Sequence, residues 1–339
     1  MLVLGKRRTK ADSQSVGGAI ILFEQLISYF RTKGVIYTLI DTNYRNYGNK
    51  IYALLKIYRL ILFNLSFHRK IFVNGSNSIS LYFIPFIHFC RVFKKNTIIV
   101  RFFGGHFDNY LRTKSWPIRL LILWSLRKCA LVFFETKFLV NYFSKHNIKT
   151  EWFPNVRNGS NNYFRMRKQR PFSRRFIFLG HVREEKGITD LLKVVSQLPD
   201  NIHLDIFGPI VNYKCPSELS QVFSRIYKGP VKSDEVVDLL SQYDVLVLPS
   251  YKEGYPGVII EALSIGMPVI ATKLRGIQEM VDSSCAILFE VGNQRALADA
   301  IMHFNSNNYT RYCSEAYKAF SKFDSEKQMP RILRIIDEV

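Results

Sequence analysis

Apolar residues fall along the chain in short unbroken runs, separated by longer stretches in which they recur every three or four positions. Met1–Gly5, Val35–Asp41, Ile71–Asn74, Thr97–Phe102 and Leu131–Glu135 are such runs in the first half, and Phe176–Leu179, Leu204–Phe207, Asp244–Leu248 and Val269–Ala271 in the second. Continuous, β-branched runs of this length predict strands covered on both faces. Helical spacing follows Val16-Gly17-Gly18, where Ile21, Phe23, Leu26, Ile27 and Phe30 share a stripe. It returns at Ile188–Leu198, Asp234–Ser241 with Ser233 as cap, Val258–Ile265, Arg295–Phe304 and about Arg311–Val339. Alternation of this kind predicts doubly wound parallel α/β sheets, whose sites lie at the carboxyl ends of strands.

A chain of 339 residues exceeds one comfortable core and implies two domains. Its five cysteines are odd in number and never spaced as Cys-x-x-Cys, which suggests neither a disulfide framework nor a zinc site and fits a reducing cytosol. Charge changes the picture more. Residues 1–170 hold 29 Lys and Arg against 6 Asp and Glu, and the remainder 19 against 21. A basic half beside a neutral one implies a polyanionic partner for the first half. Met1–Gly5 is too short for a signal peptide before Lys6-Arg7-Arg8. The apolar runs Ile51–Phe67, Ile79–Val92 and Ile118–Phe134 are each interrupted by Lys or Arg, so they read as helices with basic faces able to lie on a membrane rather than cross it. Buried helices with solvated charges are the plainer alternative for each one alone.

Asp244–Thr272 carries the candidate chemistry. A buried strand runs into Pro249–Gly257, a Gly- and Pro-rich loop, then into a helix stopped by Gly266 and Pro268, then into a second strand. Strand, loop and helix in this order aim free N–H groups and the positive end of a helix dipole at one point, which favours phosphate. Glu253 and Glu261 frame the loop. Eight helical steps would separate them by roughly 12 Å. That is longer than the ~5 Å between the two acids of a retaining glycosidase, and suits a ligand held at two points. Two surface carboxylates beside an ordinary turn would leave Gly254-Tyr255-Pro256-Gly257 without a reason.

The Glu-x7-Glu spacing, with Gly after the first Glu and Pro two beyond it, resembles the donor signature of retaining GT-B glycosyltransferases of family four. That resemblance implies an α/β fold of two Rossmann-like doubly wound domains facing a central cleft. It implies that Glu253 meets hydroxyls of the transferred sugar and Glu261 the nucleotide ribose, with Gly254, Tyr255, Pro256, Gly257 and Val258 bringing backbone to the diphosphate. Gly17 and Gly18 would approach the donor diphosphate or the acceptor, and His106, after Gly104-Gly105, would stand near the transferred sugar as a positioning group. Gly180–Gly187 resembles the Gly-Arg-x(4)-Lys-Gly element that clamps the diphosphate. Lys186 matches, but His181 takes the Arg position and Arg183 comes two residues late. A neutral His donates one bond where Arg forks two, so either Arg183 reaches round or the clamp is weak. Arg275 stands where the family has a Gly.

Phe153-Pro154-Asn155-Val156 resembles the end of the family's first domain, and Arg157–Arg170, polar and without period, reads as a linker. The expected division is 1–165, acceptor- and membrane-facing; 166–315, donor-binding; and 316–339, a helix crossing back. No Asp-x-Asp occurs, so neither metal nor cofactor is expected. The expected partners are a nucleotide-diphosphate sugar, a lipid-linked glycan acceptor and the anionic inner face of the plasma membrane. A nucleotide-sugar epimerase of similar fold, or a polyanion-binding protein, is the alternative. Nucleic acid is disfavoured because no recognition-helix or RNP-like motif accompanies the charge. A dehydrogenase is disfavoured because no Gly-x-Gly-x-x-Gly follows the first strand.

Overall fold

A computed structural model describes residues 1–9, 18–90 and 96–339. The chain forms two units, Met1–Asn155 with Gln328–Val339, and Val156–Lys327. The first contains strands β1 (Leu2–Gly5), β2 (Thr38–Asp41), β3 (Lys70–Gly75), β4 (Thr97–Phe102), β5 (Leu131–Phe134) and β6 (Thr150–Trp152), in sheet order β2-β1-β3-β4-β5-β6. The second contains β7 (Arg175–Leu179), β8 (His203–Phe207), β9 (Tyr227–Gly229), β10 (Val245–Leu248), β11 (Val269–Thr272) and β12 (Ala286–Phe289), in order β12-β11-β10-β7-β8-β9. All pairings within both sheets are parallel. Strands such as Leu131–Phe134 and Val245–Leu248 are buried at every position, because helices cover both faces.

Each sheet has one place where strand order reverses. In the first unit it falls between β1 and β3, and in the second between β10 and β7. Connections leave in opposite directions there, and it is at the carboxyl ends of strands beside such a switch point that ligands bind in sheets of this kind.

Helix bounds differ from the sequence reading in instructive ways. The described part of the run Ile79–Val92 is two short helices, Ile79–Tyr82 and Ile84–Cys90, the second restarting with Pro85 near its first turn, where a missing N–H costs nothing. Ile118–Phe134 divides into the helix Trp116–Arg127 and strand β5. The helix expected from Asp234 runs Val236–Ser241, and Ser233 does not cap it.

Arg157–Arg170 is not a bare linker, since Asn161–Gln169 is a helix. Arg167 on that helix is 3 % exposed and donates to the carbonyls of Leu240, Tyr243 and Ile265 and to the Tyr309 hydroxyl. Leu240 and Ile265 lie at the ends of the helices Val236–Ser241 and Gly257–Ser264, whose last carbonyls have no partner inside their own helix. Arg170 then pairs with the buried carboxylate of Asp244 at 2.5 Å. The last helical region is likewise two helices, Ser306–Phe320 in the second unit and Ser325–Glu338, most of which groups with the first. Within that first unit, Lys70 Nζ donates to the carbonyls of Ile336 and Asp337 at 2.8 and 2.7 Å, fixing the C-terminal end of the helix.

Candidate functional site

The reversal between β7 and β10 brings two loops of the second unit together. After β7 the chain makes a one-turn 3₁₀ helix, Glu184–Lys186, ended by Gly187 at φ +71°. After β10 it makes the loop from Pro249, entering the helix Gly257–Ser264 at Pro256. The loops are locked by the Tyr251 amide donating to the Glu185 carbonyl at 2.8 Å. They also pack so closely that a Cβ on Gly187 would lie 2.0 Å from the Pro249 carbonyl oxygen. Only glycine meets both demands at 187, the left-handed backbone and the absent side chain.

This contact puts Lys186 against Glu253. The ammonium donates to Glu253 Oε1 at 2.7 Å, and Ser250 Oγ donates to the same oxygen at 2.8 Å. Ser250 is itself held by Thr272 Oγ1, which donates to its carbonyl at 2.6 Å. The Glu253 side chain is 9 % exposed and that of Lys186 20 %, so the pair is largely desolvated and strengthened accordingly. Behind the loop, Gly276 lies so near that a Cβ there would meet the Gly254 carbonyl oxygen at 1.9 Å. Glu261, one turn into the helix, accepts from Arg157 Nε at 2.8 Å.

Burial first, then the positive charges of Arg183 and Lys186, lower the His181 pKa below the ordinary histidine value. The unfolded chain therefore binds more protons than the folded one between that lowered value and the normal ~6.5, and stability rises with pH across the window. An anion seated beside His181 would pull its pKa back up, so binding takes up a proton. Inorganic pyrophosphate is expected to gain affinity for the wild type over His181→Asn as pH falls from about 7.5 to about 6. Calorimetric titration in two buffers of different ionisation enthalpy reads the uptake. Equal uptake in both proteins would remove His181 from the site.

The other expected residues fall as follows. Gly254 and Val258 are half-buried, and Tyr255 is buried with its ring edge-on to Phe323 at 6.1 Å. Gly257 is the first helical residue, one earlier than the sequence reading, and Pro256 precedes it. Arg183 pairs with Glu185 at 3.6 Å and lines an open depression of about 760 Å³ with Asp190, Asn212 and Tyr251, and no hydrogen bond joins it to Glu253. In the first unit, Gly18 begins the helix Gly18–Thr32, whereas Gly17 lies outside the described residues. His106 follows Gly104-Gly105, the first of them at φ +99°, and both its ring nitrogens are hidden from solvent without a hydrogen-bond partner among the described residues. Sequence reasoning passed over Ser250 and Arg157. Ser250 was legible as the polar residue three before Glu253, whereas nothing local marks Arg157. Among the described residues no three His, Cys, Asp or Glu side chains gather as metal ligands.

Two parallel six-stranded sheets with these connections are the GT-B glycosyltransferase fold. HepE of Anabaena, solved with UDP, aligns over 100% of both chains with a TM-score of 0.75 at 15% identity. Sucrose-phosphate synthase of Thermosynechococcus elongatus aligns over 100% of this chain and 99% of its own, with a TM-score of 0.73 at 15% identity. Residues 173–307, within the second unit, match the family model for Glycosyl transferases group 1. A protein assigned to teichuronic acid biosynthesis as a glycosyltransferase, TuaC of Bacillus subtilis, is 34% identical over 128 residues, 38% of this chain and 32% of that protein. The capsular polysaccharide biosynthesis glycosyltransferase CapM of Staphylococcus aureus is 28% identical over 131 residues, 37% of this chain and 34% of its own. The chain thus spans about a third of the length of these curated relatives.

Proposed function

We propose that this chain is a retaining glycosyltransferase of family four, moving a sugar from a nucleotide-diphosphate donor to a lipid-diphosphate-linked glycan in bacterial surface polysaccharide assembly. The observation that carries the reading is the Lys186–Glu253 pair at 2.7 Å on the loop that enters the helix Gly257–Ser264. A cation, a carboxylate and free helix N–H groups within one loop pair suit a sugar joined to a diphosphate: the carboxylate takes sugar hydroxyls and the positive groups take phosphate. As the glycosidic bond loosens, negative charge builds on the leaving diphosphate, and Lys186 with the helix N-terminus stabilises it without reorganising. These fixed positive groups take the part a metal ion would otherwise play, so transfer is metal-independent. His106 positions the sugar. The UDP bound by HepE and the polysaccharide roles given to TuaC and CapM point the same way.

The acceptor follows from the first unit. Between Asp41 and Asp108 the sequence has ten Lys and Arg and no acid. The helix Lys50–Leu65 turns Ala53, Ile57, Ile61 and Leu65 inward yet leaves Ile51, Leu55, Leu62 and Phe63 at least half exposed. Trp116 and Leu120 are equally bare on Trp116–Arg127. Exposed apolar side chains among unopposed cations suit the headgroup region of an anionic membrane. No described helix is long and apolar enough to cross one.

Titration with UDP, GDP and their common sugars, with Glu261→Ala as control, tests the donor site. Transfer to a lipid diphosphate, with and without EDTA, tests the reaction. A donor altered without any acceptor would indicate an epimerase instead, and a folded protein that ignores anionic vesicles at low salt would end the membrane assignment.

A further inference from the structure

One cation at this site belongs to no motif. Arg157 is the second residue of its unit, and its backbone is clamped on both sides: its amide donates to the Phe323 carbonyl at 3.0 Å, and its carbonyl accepts from Ser325 at 2.9 Å. The side chain, 12 % exposed, is therefore aimed rather than free to wander. Nη1 donates to the Val156 carbonyl at 2.9 Å and Nε to Glu261 Oε1 at 2.8 Å. Nη2 donates to no described residue, and it stands 2.8 Å from where a Cβ on Gly257 would be, at the first residue of the helix.

That placement is electrostatically unfavourable by itself. A helix N-terminus carries roughly half a positive charge, and a guanidinium against it is repelled. Glu261 answers one unit of charge, which leaves the helix end and the Nη2 hydrogens uncompensated. An anion with oxygens at that spot would relieve both. A lysine could not, because one ammonium cannot hold Glu261 and reach a second acceptor in the fixed geometry of a fork.

We propose that Arg157 is a ligand-contacting residue, its Nη2 donating to a phosphate of the nucleoside diphosphate while its Nε keeps Glu261 engaged. Glu261 Oε2 is then left to the ribose. This deepens the sugar-nucleotide reading and rests on it. Binding of UDP and GDP to the full chain is measured by calorimetry for the wild type, Arg157→Gln, Arg157→Lys, Glu261→Gln and the double variant Arg157→Gln/Glu261→Gln. Loss of a charge-assisted bond is expected to weaken the diphosphate roughly 10- to 100-fold in Arg157→Gln. The double variant should still bind more weakly than Glu261→Gln alone, by less than the product of the two single losses, because the two side chains touch and their effects are coupled. Unchanged affinity in Arg157→Gln, or a double variant no weaker than Glu261→Gln, overturns the assignment. If Arg157→Gln does not fold, Arg157→Lys decides: its ratio of UDP to UMP affinity should fall several-fold, and an unchanged ratio defeats the proposal. A wild type blind to both diphosphates fails the sugar-nucleotide reading itself, and Arg157 with it.

Discussion

Lys186→Gln is expected to slow sugar transfer by roughly 10²- to 10³-fold, the usual cost of removing one preorganised donor from a site of developing negative charge. The ammonium sits 2.7 Å from Glu253 and is 20 % exposed, so water cannot readily replace it. Because the charge on the departing diphosphate exists fully only as the bond breaks, the loss should fall on kcat more than on KM. The same change leaves Glu253, 9 % exposed, with Ser250 as its remaining charge-stabilising partner. A stability loss of about 1–3 kcal/mol is expected from that alone. The double variant Lys186→Gln/Glu253→Gln separates the effects. It should regain most of the stability, since both buried charges are gone, and none of the activity. Transfer rates and thermal melts on the three proteins check this. A Lys186→Gln enzyme with near-normal kcat would show that the ion pair is structural.

Gly276→Ala is expected to abolish donor binding while leaving both sheets folded. The added Cβ would fall 1.9 Å from the Gly254 carbonyl oxygen and 3.0 Å from its carbonyl carbon. Both are backbone, so no side chain can swing aside, and the loop between Glu253 and Gly257 must move as a piece. Overpacking of this kind costs about 1–3 kcal/mol. The expected signature is a modestly lowered melting temperature with nucleotide affinity lost out of proportion to it. A Gly276→Ala protein that binds nucleotide normally would mean that the loop has room the packing denies.

Much of the architecture was legible because burial writes itself locally. Val245–Leu248 and Val269–Thr272 are apolar throughout since both sheet faces are covered, and Pro268 and Gly266 mark where the helix between them stops. The Glu253 loop could be located for the same reason: a stretch rich in Gly and Pro between a strand and a helix has few structural alternatives. Arg157–Arg170 was misread because its anchor is a guanidinium, not an apolar stripe. Arg167 is buried by bonding carbonyls more than seventy positions away, and no local period announces that.

Composition and pattern alone determined that this is an α/β chain with a Gly- and Pro-rich strand-to-helix turn in its second half and an acid-free, cationic stretch in its first. Tertiary structure alone decided that Lys186 meets Glu253, 67 positions on, and that Arg157 meets Glu261, 104 positions on. Arg157 is placed by its backbone bonds to Phe323 and Ser325, and for the first pair the reason is topological. Strand order reverses between β7 and β10, which sets their carboxyl-end loops side by side, and no residue near either loop encodes which strand will be its neighbour.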